Sequence, residues 1–328
     1  MALTFSFYQE TEADEWDKFI LNKSMNGTFL QTRKFINYHT AGKFKDVSVC
    51  VRKGNELVAA VLGCEKNENG LKVFFAHKGT TFGGISVAKT IYSATAIDEL
   101  ISGLVAFLRE HDFAKIFIKM VPNIYQRSNS ELLDYFLYKY KFCCYNELNY
   151  YLILEDYRND IPACFTASKR RDYRYSLRYG LEFRGLTTKK EIAEYYEILK
   201  KNLAKLGLKA VHTLEELYDL KFNRFNENIE FYGVFKDDKM IAGSMIFYFN
   251  DNIIHTQYLS SDEEYLSMFP MDFLIYNLIN IGIKKNKKIF SFGICTEDLG
   301  RYLNLGLSRF KEGFGTKFCI NRSYEIEV

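Results

Sequence analysis

VSVCVRKGNELVAAVLG, residues 47–63, and EFYGVFKDDKMIAGSMI, residues 230–246, align without a gap. Val51 falls on Val234, Lys53 on Lys236 and Ala59 on Ala242. Each segment is an apolar run, a short polar turn and a second apolar run ending in small residues, the pattern of a β-hairpin. Gly54-Asn55 and Asp237-Asp238 supply the turn chemistry. The surroundings repeat as well. A third strand is expected at 71–76 in one half and 252–260 in the other, each followed by a long helix. In the first half that helix runs from about Ile91 to Arg109, with Ile97, Leu100, Ile101, Leu104, Val105 and Leu108 at helical spacing. In the second, Phe273, Leu274, Leu278 and Ile281 make a similar stripe. A short apolar strand follows each helix, KIFIKM near 115 and KIFSFG near 288. One order of elements occurring twice predicts a duplicated α/β (α+β) unit, each copy a mixed twisted sheet flanked by helices. Pro162 interrupts the pattern after NYYLILE and sets the expected domains at 1–160 and 161–328.

A chain of 328 residues has room for two such domains, and 48% hydrophobic residues suffice for two cores. Three prolines exclude a Pro-rich linker, and 44 basic against 41 acidic residues exclude a uniformly basic nucleic-acid binder, so any anion site must be local. The start, MALTFSFYQETEADEW, lacks the basic and apolar regions of a signal peptide. No apolar run approaches the length of about 18 residues that spans a bilayer. Seven scattered cysteines without a CxxC or a Cys/His cluster give no disulfide framework and no metal site. These features predict a cytoplasmic protein.

The order of helices, three-strand meander, helix and further strand resembles the GNAT acyltransferase fold, and two copies in one chain resemble the FemAB/FemX family. Phe29-Leu30-Gln31-Thr32 followed by Phe35 resembles the family's early F-Q-S-x-x-W/F segment, and Thr80-Thr81-Phe82-Gly83-Gly84 its Gly-Gly loop. Phe292-Gly293 and the later run Leu307-Ser308-Arg309-Phe310-Lys311-Glu312-Gly313-Phe314-Gly315 resemble its D-F-G … G-L-x-x-F-K-x-x-F-G pattern. Ser291 replaces the usual Asp before Phe-Gly, and His39 stands about where some relatives carry a phosphate-binding lysine.

The resemblance implies transfer of an acyl or aminoacyl group to an amine of a cell-envelope precursor, an amino sugar or a peptide stem. It implies no tightly bound cofactor. The donor is acyl-CoA or aminoacyl-tRNA as co-substrate. The acceptor is a small-molecule or a lipid- or nucleotide-linked precursor. A catalytically silent module that binds a glycan precursor or a partner protein is the alternative. Lys311 occupies the position of the family's F-K lysine, which implies a cation aimed at the tetrahedral oxyanion, with its ammonium facing the cleft. Arg170, Arg174 and Arg178, at i, i+4 and i+8, are expected on one helical face beside Tyr173, Tyr175 and Tyr179, where guanidinium forks can hold phosphate. The Gly83-Gly84 loop admits close backbone approach to a ligand, and Tyr258 and Phe310 are further candidate substrate contacts. SSDEEYLSMFPMD, where acetyl-CoA enzymes carry a Gly-rich pyrophosphate loop, has no glycine and three consecutive acids, Asp262, Glu263 and Glu264. That disfavours the usual CoA mode in the second half. His39, His77 and His255 are isolated and read as core residues.

Overall fold

The computed structural model describes residues 2–40, 42–205 and 207–328. By its internal contacts the chain divides into two units. The first comprises residues 1–147, 298–301 and 320–328, and the second 148–297 and 302–319. The change from one unit to the other falls inside a strand, Cys143–Ile153, and the C-terminal strand Lys317–Glu327 also contributes to both.

In the first unit, β1 (Leu3–Phe7), β2 (Val49–Lys53), β3 (Glu56–Val61) and β6 (Ile85–Val87) form an antiparallel sheet in the order β1-β2-β3-β6. After Leu62 the chain continues as β4 (Gly63–Glu68), which pairs antiparallel with β5 (Leu71–Ala76) in a second sheet. There β5 runs parallel to β7 (Lys115–Lys119), and β7 pairs antiparallel with residues 323–327. Helix α1 (Ala94–Glu110) is N-capped by Ser93 and buries Ile97, Leu100, Ile101, Leu104, Val105 and Leu108, the six residues of the predicted stripe. Each buried side chain of that size contributes about 1.5–3 kcal/mol relative to exposure. Helix α2 (Glu131–Lys139) adds Leu133, Phe136 and Leu137 to the same core.

In the second unit the sheet includes β8 (Cys143–Ile153), through residues 149–153, together with β9 (Glu182–Leu186), β10 (Ile229–Lys236), β11 (Lys239–Asn250), β12 (Ile253–Ser261) and β13 (Ile289–Ile294), in the order β9-β10-β11-β12-β13-β8. All pairings are antiparallel except β12 with β13. Three helices flank it: α3 (Ala167–Ser176), α4 (Lys189–Lys205) and α5 (Pro270–Lys284). A fourth, α6 (Leu305–Glu312), precedes the last strand. Helix α5 buries Leu274, Ile275, Leu278 and Ile279, with Phe273 and Ile281 packed at its margin.

The two hairpins aligned in sequence carry the same register. Val51 pairs with Ala59 and Val234 with Ala242, and in each hairpin a β-bulge follows directly, at Val51/Arg52 and Val234/Phe235. The matched residues thus sit at matched positions of two equivalent hairpins. The difference lies beyond them. β11 continues for 12 residues, whereas the corresponding strand of the first unit breaks at Leu62 and divides its pairing between two sheets.

Candidate active site

Strands β12 and β13 begin side by side and then separate. Ile253, Ile254 and His255 pair with Ile289, Phe290 and Ser291, and no later residue of either strand pairs with the other. β12 runs on to Ser261 and β13 to Ile294. A bulge flanks the separation on each side. On β12, Thr256 and Tyr258 oppose the consecutive residues Ile246 and Met245, so Gln257 is the extra residue. On β13, Ser291 and Gly293 oppose Tyr151 and Tyr150, so Phe292 is extra. Gly293 has φ +74°, a left-handed conformation that L side chains rarely adopt. From Thr256 onward β12 has a strand partner on one side only, which leaves backbone N–H and C=O groups along its other edge for a ligand.

The fork of this split is polar and buried. His255 Nδ1 lies 3.3 Å from Ser291 Oγ, and Thr256 Oγ1 donates to the Ser291 carbonyl at 3.3 Å. The Gly293 N–H donates to Ser291 Oγ at 3.2 Å. Burial, and secondarily the Lys311 ammonium, pushes the His255 imidazole down to about 3, so it is neutral at physiological pH. Ser291 thus occupies the position where the resembling family places an aspartate and acts there as a hydrogen-bonding centre.

Lys311 closes the fork from below. Its side chain is 3% exposed, and Nζ donates to the carbonyls of Phe292, Gly293 and Ile294 at 2.9, 3.0 and 2.8 Å. Burial holds its pKa below the usual lysine range. The ammonium has three N–H donors, and these three carbonyls accept from all of them. This corrects the expectation of an ammonium facing the cleft: the cation is internal and ties down the divergent end of β13.

The rest of the RFKEGFG segment is likewise internal. Phe314 is fully buried, stacked on Phe292 at 5.7 Å and edge-on to Phe165 at 5.1 Å. Tyr157 donates to the Phe314 carbonyl at 2.7 Å. Phe310 is half-buried against Phe314 and lies 4.6 Å beneath the Lys169 ammonium, so its ring is a packing surface. Gly313 has no side chain because Lys169 lies across it; a Cβ there would sit 2.4 Å from Lys169 Cγ.

The first two residues of the basic run at the start of α3 turn inward. Lys169 pairs with Asp272 at 2.9 Å. Arg170 donates from Nε to the Pro162 carbonyl and from Nη2 to those of Ala163 and Phe165, at 3.0–3.1 Å. Arg178 lies beyond the helix, in the 3₁₀ turn Leu177–Tyr179 that ends at Gly180, φ +63°, and its guanidinium stacks 4.8 Å from the Tyr175 ring. Of the three expected arginines, Arg170 is bound internally, whereas Arg174 and Arg178 are exposed; among the described residues Arg174 has no hydrogen-bonded or ionic partner. Arg170→Ala should lower stability by about 1–3 kcal/mol, because charged donors to three carbonyls are lost. Arg174→Ala should change it by less than about 0.5 kcal/mol. Thermal melts of the two variants check the contrast, and equal shifts would refute it.

Gly83 and Gly84 are buried in the first unit rather than presented to a ligand. The Gly83 carbonyl accepts from Gln31 Nε2, and a Cβ on Gly84 (φ +64°) would meet the Lys119 carbonyl at 3.0 Å. These glycines allow one loop to pack on another.

Sequence reasoning missed His212. Its Nδ1 lies 2.7 Å from the Tyr258 hydroxyl, one residue past the Gln257 bulge, and burial pushes the Tyr258 pKa up, so the phenol keeps its proton. No spacing in the sequence links His212 to Tyr258; a loop brings them together.

The stretch before α5 forms a 3₁₀ turn, Glu263–Met268, capped by Asp262. Glu263 pairs with Lys205 and Glu264 with Lys239. The first helical residue is Pro270, which has no N–H, and the buried Asp272 occupies the first turn. Among the described residues no group of three His, Cys, Asp or Glu side chains could hold a metal ion, and no helix is long and apolar enough to cross a membrane.

Residues 167–311 match the family model of the acetyltransferase (GNAT) domain. Over its whole length the chain has the fold of FemX. The two share 11% identity and a TM-score of 0.70, over 99% of this chain and 97% of FemX. It is also similar to L-PGS from Bacillus licheniformis, with 11% identity and a TM-score of 0.62 over 97% and 93% of the two chains. A tandem GNAT protein from the clavulanic acid biosynthesis pathway matches at 11% identity and a TM-score of 0.54, over 99% and 98%. No curated protein matches by sequence. The resemblance read from the motifs therefore holds at the level of the fold: the whole chain has the tandem fold of these proteins, and residues 167–311 match the GNAT domain model.

Proposed function

We propose that the second unit transfers an acyl or aminoacyl group to a primary amine of a cell-envelope precursor, an amino sugar or a peptide stem, in the split between β12 and β13. The observation that carries this reading is the split itself, flanked by bulges at Gln257 and Phe292 inside the segment that matches the GNAT model. The donor's carbonyl lies along the open edge of β12, where backbone N–H groups meet the developing oxyanion. The amine attacks the carbonyl carbon. A C–N bond forms, the bond to the leaving group breaks, and the amine's proton passes to His212, which Tyr258 orients. The leaving group takes a proton as it departs. Lys311 acts here as a positioning residue, holding the 292–294 carbonyls away from β12.

The turn before α5 bears on the donor. The N-terminus of this helix presents Pro270 and Asp272 where a pyrophosphate would need N–H donors and positive potential. Asp262, Glu263 and Glu264 precede it. This favours an aminoacyl ester of tRNA over a CoA thioester bound in the usual manner. Calorimetric titration with acetyl-CoA should give a Kd no tighter than about 100 μM, that is, under about 6 kcal/mol of binding. Transfer to glucosamine and to a stem peptide should be detectable from aminoacyl-tRNA and should fall at least about tenfold in His212→Gln. Submicromolar CoA binding abolished by changes in 262–264 would overturn the donor assignment. No transfer from either donor class would leave the silent glycan- or partner-binding module as the reading.

A further inference from the structure

Past the split, β12 presents its backbone in alternation. Ser261 lies opposite Ala242, and the Asp262 N–H donates to the Ile241 carbonyl at 2.8 Å. That bond makes Ser261 and Ala242 a non-hydrogen-bonded pair, so the N–H and C=O of Ser261 point away from β11. Two residues back, Leu259 lies opposite Ser244 and has the same outward orientation, whereas the backbone groups of Ser260 face Gly243. Beyond the Gln257 bulge the open edge thus carries two outward N–H/C=O pairs, at Leu259 and Ser261, about 6.8 Å apart.

One of the two is already taken. Asn202, on α4, donates from Nδ2 to the Ser261 carbonyl at 2.5 Å, and its Oδ1 accepts from the Ser261 N–H at 3.4 Å. A single side-chain amide therefore does for Ser261 what a neighbouring strand would do. Asparagine is a mediocre helix former, because its amide competes for backbone groups. Inside Lys189–Lys205 it serves the backbone of another element. Its neighbours on the helix have different partners. Lys201 and Lys205 line a cavity of about 350 Å³ with Asp262, Glu263 and Glu264, and Lys205 pairs with Glu263. Ser261 lines the same cavity. There is space beside this residue, but its backbone is already paired, which leaves that of Leu259 to a ligand.

We propose that Asn202 is a specificity-determining residue of the groove. By holding Ser261 it excludes acyl carriers that lie along β12 through two successive amides, and it admits carriers that need one backbone pair. This rests on the reading of the split as the donor's groove. The pantetheine arm of a CoA thioester has two amides in series, whereas an aminoacyl ester joins the amino acid directly to a ribose. Two separate features of this unit then act against CoA: the acids at 262–264 oppose its phosphates, and Asn202 opposes its arm.

S-acetylpantetheine separates the two, because it is uncharged and has no phosphate for Asp262, Glu263 and Glu264 to repel. Saturation-transfer NMR on the full chain should give a wild-type Kd weaker than about 10 mM. Asn202→Ala frees the Ser261 backbone and should tighten binding about tenfold, the worth of two hydrogen bonds. Lys201→Ala enlarges the same cavity and leaves Ser261 paired, so it should bind like the wild type. Asn202→Ser, too short to hold both groups, carries the alanine expectation if the alanine variant does not fold. Unchanged binding in a folded Asn202 variant, or an equal gain in Lys201→Ala, overturns the proposal. Failure of the donor reading is a different result: no transfer from aminoacyl-tRNA by the wild type, with the binding contrast between variants intact.

Discussion

Lys169→Met is expected to destabilise the second unit by about 3–5 kcal/mol, the usual cost of leaving one member of a buried ion pair without its partner. The Lys169 ammonium lies 2.9 Å from Asp272, with side-chain exposures of 17% and 7%. It also lies over the rings of Phe310 and Phe314, at 4.6 and 5.1 Å, and its stem covers Gly313. Methionine keeps much of the stem and removes the charge, so the packing over Gly313 survives while Asp272 is left alone. Burial already raises the Asp272 pKa, and Lys169 opposes that rise. Without Lys169 the folded-state pKa climbs further above its unfolded value near 3.8. The folded variant then binds more protons than the unfolded chain between those two values. Its stability should therefore recover as pH falls through the raised pKa, the opposite of what loss of an ordinary surface pair would give. Asp272→Asn in the Lys169→Met background should restore more than half of the loss. Urea denaturation of the three variants at neutral and mildly acidic pH decides the matter. A loss under about 1 kcal/mol would show that the pair is solvent-screened and structurally idle.

That lysine illustrates how far the sequence could be read. Two apolar runs about a polar turn marked both hairpins, in which Val51 pairs with Ala59 and Val234 with Ala242, and helical spacing picked out all six buried residues of α1, because burial repeats with the geometry of the element. Charge carries no such period. Lys169, Arg170, Arg174 and Arg178 appear as a basic face in the sequence, yet the fold uses the first two for internal contacts and a left-handed Gly180 ends the 3₁₀ turn that carries the fourth. The sequence signal for Lys169 was indirect: Asp272 is a lone acid just ahead of the apolar stripe of α5. The site itself was least legible. The bulges at Gln257 and Phe292 depend on how three strands register against one another, and no residue type marks them. Gly293, which takes the left-handed turn at the split, stands out in the sequence only through the Phe-Gly pattern of the resembling family.

Lys311→Met should cost both stability and donor binding, since the same ammonium is a packing element and a determinant of the split. Three carbonyls, of Phe292, Gly293 and Ile294, lose their donor. Each unsatisfied buried acceptor costs about 1–3 kcal/mol, and relief from burying the ammonium returns part of that. The net loss should be about 2–4 kcal/mol, measurable by urea denaturation. Arginine should not rescue it, because a planar fork cannot aim three N–H bonds from one point at three successive carbonyls. The kinetic consequence separates the two roles available to this residue. A lysine that contacted the oxyanion would lower kcat by about 10²–10³ on removal and leave KM unchanged. A lysine that holds β13 away from β12 shapes the groove in which the donor lies. Its loss should raise the donor's KM by about tenfold or more, with a smaller fall in kcat. The three hydrogen bonds to β13 favour the second outcome. Steady-state kinetics with the donor varied, at a temperature where the variant remains folded, read out the split directly. A pure kcat defect would return Lys311 to the reacting atoms and require its ammonium to leave these carbonyls when substrate binds.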